Sequence, residues 1–349
     1  MLKYEAWRGK AVILNPARGF ELDIQELEYR RDPLTNRITV ITRGRSQYVI
    51  KYFRSDEELV EELVRASKAR CPFCPSAIDE KTPKFPPEVL PEGRLRIRDC
   101  WAVPALFAHA DFNAIVVLGK EHFRPLDRFE KDLLLDGLRA SIEILRRANK
   151  AYPDLENGTI IMNYMPSGGS SQIHPHLQVL AMKRPFNKVN ELLSASFAYY
   201  KATSSCFWAR LVEEEIKRST RFLSLMGRTY WLVPFAPERR YEVMGIVKGV
   251  SSLLDLADAD LADIADGLSR VLRFYSDIGV LAFDMAFISG PLSGGASDYF
   301  WLNIRICARF GLRKPFLSDF WALPALLDTD EIFEAPEDYA DKLRPYFRR

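Results

Sequence analysis

Two of the chain's four histidines stand one residue apart, in a stretch from Ser167 to Val179 that reads Ser-Gly-Gly-Ser-Ser-Gln-Ile-His-Pro-His-Leu-Gln-Val. A neutral imidazole is a competent nucleophile towards phosphorus near pH 7, because its unperturbed pKa is about 6.5. Gly168 and Gly169 let a backbone approach a ligand closely, and Ser170 and Ser171 add hydroxyls and N–H groups suited to phosphate oxygens. Ile173, Leu177, Val179 and Leu180 give the second half of the stretch the alternation of a strand, on which His174, His176 and Gln178 share one face. The expected chemistry is attack by an imidazole on a phosphate held in a glycine-serine cradle. A lone histidine is more often satisfied by a backbone carbonyl, but here a second imidazole, the turn and Gln178 stand beside His176.

Cys71 and Cys74 form the second constellation. Their Cys-x-x-Cys spacing lets two thiolates reach one tetrahedral zinc, with the other two ligands drawn from His109, His122 and His174. The same spacing occurs in thiol-disulfide oxidoreductases, where it opens a helix after a strand. In this chain it follows a helical stretch (residues 56–70) and precedes Pro75, which favours metal over redox or a buried structural pair. His109 sits in a loop with no visible partner and reads as structural or exposed.

The rest of the chain must position these groups. With 349 residues, 48% of them hydrophobic, it can bury a large core, and its size suits two domains or one duplicated unit. Lys+Arg 49 against Asp+Glu 47 gives a net charge of +2, which points away from nucleic acid and towards a small charged substrate. Five cysteines in a long chain are not a disulfide framework. No apolar signal core opens the sequence and no run reaches the roughly 18 residues that span a bilayer, so a cytoplasmic protein without membrane contact is expected. Scarce glutamine amid plentiful Glu, Lys and Arg hints weakly at a heat-adapted source.

Periodicity predicts strands at Ile38–Ile41, 94–98, 101–107, 114–118 and 159–163, with a helix over 129–150. The order then recurs: Met244-Gly-Ile-Val-Lys248 matches Val116-Val-Leu-Gly-Lys120, a helix spans 256–278, a strand 282–288, and Ser293-Gly-Gly-Ala-Ser parallels Ser167-Gly-Gly-Ser-Ser. At that offset Phe300 and Leu302 fall on His174 and His176, and Val250 on His122. The expected fold class is therefore α+β, a duplicated unit of mostly antiparallel sheets with helices packed on them. Residues 1–200 form the half with the chemistry and residues 201–349 a degenerate copy without a metal or nucleophile.

Cys71/Cys74, His122 and the run Ser167–Gln178 together resemble the galactose-1-phosphate uridylyltransferase family, the nucleotidyltransferase branch of the histidine-triad superfamily. Arg30–Thr35 and Pro336–Arg344 resemble its ends, so the likeness runs from about residue 28 onward. The resemblance implies histidine-triad-like halves, Zn2+ on Cys71, Cys74, His122 and His174, His176 as nucleophile and Gln178 as donor to the transferred phosphoryl group. It also implies Arg45, Asn163 and Ser171 as nucleotide-phosphate contacts, which join Gly169 and Ser170 of the turn as the expected substrate-binding residues. The implied activity is exchange of UMP between a UDP-hexose and a hexose 1-phosphate through a nucleotidyl-histidine, in a homodimer. Three positions depart from the family: Trp101–Leu106 stands where its nucleotide-binding Asn-x-[Phe/Tyr]-Pro-Ala-Leu would be, Tyr48 replaces a second arginine, and Phe316–Trp321 lacks its hexose-reading segment. A nucleoside-diphosphate-sugar phosphorylase using inorganic phosphate, and a nucleotide-binding module without turnover, are the alternatives.

Overall fold

A computed structural model describes residues 2–348. The chain opens with the hairpin β1 (Glu5–Asn15) and β2 (Glu21–Arg31), then β3 (Ile38–Ile41) and a single turn, α1 (Ser46–Val49). The helix α2 (Glu57–Lys68), started by the Asp56 side chain accepting the Leu59 N–H, delivers the chain to Cys71, and α3 (Ile78–Lys81) follows Cys74. Next come β4 (Leu95–Ile97), β5 (Cys100–Pro104), β6 (Phe112–Val117), α4 (Lys131–Ala151), β7 (Asn157–Tyr164) and β8 (His176–Met182). A helical hairpin, α5 (Asn187–Thr203) and α6 (Phe207–Arg218), separates this series from a second one. That second series is β9 (Phe222–Met226), β10 (Thr229–Leu232), β11 (Val243–Val247), α7 (Asp258–Asp277), β12 (Ala282–Ile288) and β13 (Asn303–Arg309). The short α8 (Ala322–Leu326), β14 (Asp330–Ile332) and α9 (Pro336–Phe347) end the chain.

Ten strands form one sheet in the order β4-β5-β6-β8-β7-β12-β13-β11-β10-β9. Read inward from either edge, it gives the same succession of elements, so the duplication is a pseudo-two-fold through the β7–β12 pair. A second sheet, β1-β2-β3-β14, joins the beginning of the chain to its end, with β14 parallel to β3. The two outlying segments of the family resemblance meet here: Arg30 donates to both carboxylate oxygens of Glu337 at 2.9 and 2.8 Å. The fold class is the one expected.

One face of the large sheet is covered alike in both halves. Val116, Ile160, Leu177 and Val179 in the first, with Phe283, Phe287, Ile304 and Ile306 in the second, enter one core under α4 and α7. Both helices carry Asp-Gly-Leu where they approach the sheet most closely. A Cβ on Gly137 would lie 2.3 Å from the Leu118 side chain, and one on Gly267 2.2 Å from the Trp231 ring. The opposite face differs between halves. In the second, α5 and α6 cover it, with Trp208, Val189 and Leu192 packed with Met244, Ile246 and Ile288.

The structure shifts two expectations by one residue or one element. The strand carrying the histidines starts at His176, so His174 lies outside it and does not share its face. Gln178, Ile161, Ala286 and Arg305 pair in one row across four strands, with Ile161 opposite Ala286 where the halves meet. Arg305 is therefore the counterpart of Gln178, and Asn303, not Leu302, is the counterpart of His176. The side chains agree: His176 Nδ1 and Asn303 Nδ2 each reach the carbonyl two residues back, on His174 at 2.9 Å and Trp301 at 3.3 Å. Leu302 faces the α4/α7 core instead.

Candidate active site

The tail of α2, the turn after β6 and the approach to β8 bring Cys71, Cys74, His122 and His174 together, all buried, with one ligand atom from each within 4.8 Å of every other. Cys74 Sγ lies 3.6 Å from His122 Nδ1 and 3.8 Å from His174 Nδ1, and Cys71 Sγ lies 3.9 Å from His174 Nδ1. A zinc with ordinary Zn–S and Zn–N bonds has ligand atoms about 3.3–3.8 Å apart, so these separations fit a tetrahedral ion. The far nitrogens settle the tautomers. His174 Nε2 donates to the Gly119 carbonyl at 3.1 Å. His122 Nε2 donates to Ser67 Oγ at 2.8 Å, a hydroxyl whose own proton goes to the Val64 carbonyl. Both Nδ1 lone pairs are thus turned to the thiols. Burial, then the neighbouring Cys71, push the Cys74 thiol up to about 11, and burial takes His174 down to about 4. A donor set of buried thiols and neutral imidazoles suits a bound cation, which would ionise the thiols; all five cysteines are free.

His176 opens β8 on the face away from α4. A carbonyl only accepts, so its bond to His174 O puts the proton on Nδ1 and leaves the lone pair on Nε2. Burial lowers its pKa and keeps the ring neutral. The Phe73 ring, between the two cysteines in sequence, lies 5.2 Å from the His176 ring and 6.3 Å from that of His174. His176 lines a cavity of about 300 Å³ together with the polar Gln178, Ser171 and Gln172. Val103–Phe107, Pro72, Phe73 and Pro83 supply its apolar wall. No described residue bonds the Gln178 side-chain amide, so it is available to a ligand. Leu106 and Phe107 stand at the mouth, 73% and 78% exposed.

Of the residues expected around the substrate, the structure brings His176, Gln178 and Ser171 to this cavity. Gly169 and Ser170 shape the turn beneath it. Gly169 takes the left-handed conformation (φ 84°), and Ser170 Oγ donates to the Gln172 carbonyl at 2.7 Å, so that hydroxyl is spent inside the chain. Asn163 lies on β7 on the same sheet face but lines a neighbouring cavity with Asp284 and Arg305. Arg45 is elsewhere, paired with Glu331 at 2.6 Å beside β14, and does not join the cradle in this chain. Sequence reasoning missed Lys81, and it set aside His109 as exposed or structural; His109 is exposed, and it lines the cavity. The signal for Lys81 was its place ten residues after Cys71, within reach of whatever the cysteines anchor.

The corresponding face of the second half is filled with charge. Arg305 Nη1 lies 3.1 Å from Glu242 and 3.3 Å from Glu238, and Lys188 also pairs with Glu238. Burial pushes Glu238 up, but Arg305 and Lys188 outweigh it and hold the carboxyl at about 2. Glu242, more deeply buried, is raised. Further along, Arg309 pairs with Asp284 and Asp319, and Arg239 with Asp330.

This is the fold of the galactose-1-phosphate uridylyltransferase-like proteins. Among solved structures, the chain is similar to a GalT-like protein from Arabidopsis thaliana, at TM-score 0.70 and 19% identity over 90% of this chain and 98% of that one. It is equally similar to an ADP-glucose phosphorylase from Arabidopsis thaliana with bound ADP-glucose, at 0.70 and 19%, over 91% and 98%. A uridylyltransferase matches at 0.63 and 21%, over 72% and 86%. In sequence the chain is similar to an uncharacterized protein of Archaeoglobus fulgidus, 26% identical over 329 residues that cover 93% of this chain and 94% of that one. No family model matches it. Among the described residues no helix is long and apolar enough to cross a membrane.

Proposed function

We propose that the protein is a nucleotidyltransferase acting on nucleoside-diphosphate sugars, with His176 as nucleophile. The observation that carries this reading is the tautomer of His176, whose Nδ1–H is held by the His174 carbonyl while its Nε2 lone pair stays free in a ring that lines a cavity. Nε2 attacks the α-phosphorus, the bond from that phosphorus to the bridging oxygen breaks, and the electron pair leaves with sugar 1-phosphate. The His174 carbonyl steadies the positive charge that the ring acquires. Gln178 and Ser171 donate to the phosphoryl oxygens, and the apolar wall from Val103 to Phe107 takes the base. An acceptor phosphate then attacks the nucleotidyl-histidine and regenerates the neutral ring.

Zinc on Cys71, Cys74, His122 and His174 would serve a structural role, fixing the position of the His174 carbonyl. Residues 1–200 carry the chemistry, residues 201–349 its degenerate copy, and two chains pair as a homodimer. The acceptor defines two versions of the activity. Hexose 1-phosphate makes the protein a UDP-glucose:hexose-1-phosphate uridylyltransferase-like enzyme. Inorganic phosphate makes it a phosphorylase, a version favoured by the likeness to ADP-glucose phosphorylase and by Trp101 and Phe316–Trp321, which depart from the uridylyltransferase pattern. Incubation with UDP-, ADP- and GDP-sugars, each with phosphate or with galactose 1-phosphate, followed by product analysis, separates them. Turnover with none of these pairs contradicts the reading.

A further inference from the structure

The cavity of His176 has a charge pattern that the transfer step above does not use. Besides His176, its only basic side chains among the described residues are Lys81 and His109, and neither Asp nor Glu lines it. Acidic and basic residues are nearly equal in number and most arginines are paired, yet Lys81 is exposed and makes no ion pair with a described residue. The backbone beneath it is firmly held. The Ala77 and Ile78 N–H groups both bond the Cys74 carbonyl, Lys81 N–H bonds the Ala77 carbonyl, and Arg94 reaches the Asp79 and Thr82 carbonyls at 2.8 and 2.5 Å. His109 comes from a different segment, the loop between β5 and β6. Its backbone N–H bonds Asn113 Oδ1 at 3.1 Å, and its imidazole makes no bond to a described residue. Two fixed segments therefore hold two free basic side chains at one acid-free cavity.

We propose that Lys81 and His109 form a clamp for the second phosphate: the β-phosphate of the nucleotide sugar, and equally the phosphate of the acceptor that replaces it. The inference rests on the nucleotidyl-transfer reading and adds the residues that choose the nucleophile. In the second half-reaction an oxygen of a phosphate dianion bonds to the phosphorus, the P–Nε2 bond breaks, and its electron pair returns to Nε2. A dianion approaching an anionic adduct is repelled, and the Lys81 ammonium offsets that repulsion. Water, a neutral nucleophile, gains nothing from the clamp. The same residues thus steer the adduct towards phosphate acceptors and away from hydrolysis.

The test isolates the second half-reaction. Wild type, Lys81→Met, Lys81→Arg and His109→Asn are labelled from UDP-glucose or ADP-glucose, whichever gives the adduct, and chased with buffer, inorganic phosphate or glucose 1-phosphate. Lys81→Met should slow capture by both phosphates about 10- to 100-fold at subsaturating concentration, the worth of one charge-assisted hydrogen bond. Its hydrolysis rate should stay within twofold, Lys81→Arg should restore most of the capture, and His109→Asn should lie between. Added salt should slow capture by wild type and leave Lys81→Met nearly unchanged. Capture by Lys81→Met at the wild-type rate, or a loss confined to glucose 1-phosphate, overturns the clamp while leaving the transfer reading intact. A wild type that takes no label overturns the transfer reading and the clamp with it.

Discussion

The two halves of the large sheet present the same face with opposite contents. In the first, His176 and Gln178 border a cavity without a carboxylate. In the second, Asn303 and Arg305 occupy those two positions, α5 and α6 cover the neighbouring strands, and Glu238, Glu242 and Lys188 complete a charge network. Both halves keep the i to i−2 bond from the first strand residue to a backbone carbonyl. The copy that lost its imidazole has kept the geometry that orients it. A free lone pair requires an empty neighbourhood, whereas a buried arginine requires carboxylates, so under the proposed function one half does the chemistry and the other holds the sheet together.

The largest effect separates the halves at the nucleophile. His176→Ala should lower transfer by at least about 10³-fold, since removing a nucleophile leaves only binding and oxyanion stabilisation. Metal content and melting temperature should stay close to wild type. Asn303→Ala should leave turnover within a few-fold and show instead as lost stability, about 1–2 kcal/mol in denaturant unfolding, from the bond to the Trp301 carbonyl. Comparable activity losses in the two variants would erase the distinction.

Next in size is the metal. Metal analysis should find one zinc per chain, and Cys71→Ser or Cys74→Ser should remove it and lower the melting temperature markedly, because binding energy at such a site is folding energy. A second stoichiometric zinc, or a Cys71–Cys74 disulfide in fresh protein, would break the assignment of the metal to the first half alone.

Arg305→Met probes the other half. It leaves Glu242 buried without its cation, which should cost about 3–5 kcal/mol of stability in chemical denaturation. The transfer rate measured on the folded variant should be nearly unchanged. Loss of turnover without loss of stability would mean that the second half contributes to the chemistry.

The smallest effect is the part of the pH dependence that comes from carboxyls of the second half. Burial pushes Asp330 up to about 7 against the pull of Arg239, with Glu238, Glu242 and Asp328 adding to the rise, and burial likewise raises Asp284 to about 6 against Arg309. A carboxyl raised on folding favours the folded state below its unfolded pKa, and that contribution is lost as pH rises through the folded value. Their contribution should therefore decline between about pH 4 and 7, by at most about 1.4 kcal/mol per pH unit for each such carboxyl, against the opposite slope of the buried His174 and His176 imidazoles. Asp330→Asn should make the slope of stability with pH more positive in urea melts taken across that range, and an unchanged slope would show that Asp330 contributes nothing to it.

Much of this contrast was legible in the sequence, because the two cysteines and two histidines that the fold gathers into one buried cluster, and His176, are rare residue types at informative spacings. The duplication was legible too, from Ser167-Gly-Gly-Ser-Ser against Ser293-Gly-Gly-Ala-Ser. The counterpart of His176 came out one residue wrong because loop motifs were used to align strands, and a change of one residue in a loop reverses which face a strand residue occupies. The pairing of Arg45 was not legible, because a motif says nothing of the Glu331 carboxylate that β14 brings to it. Lys81 was missed and His109 set aside because neither lies in a pattern. Their meaning comes from the acids that are absent around them, a property of a cavity.

The central claim is that His176 alone carries the transferred nucleotide. The direct measurement is intact mass, followed by peptide mapping of acid-labile adducts, after incubation with the sugar nucleotide that supports turnover. The account predicts one nucleotidyl group per chain, on the peptide containing His176, absent from His176→Ala and unchanged in Asn303→Ala. Turnover without any adduct, or an adduct on His109 or His122, would contradict it.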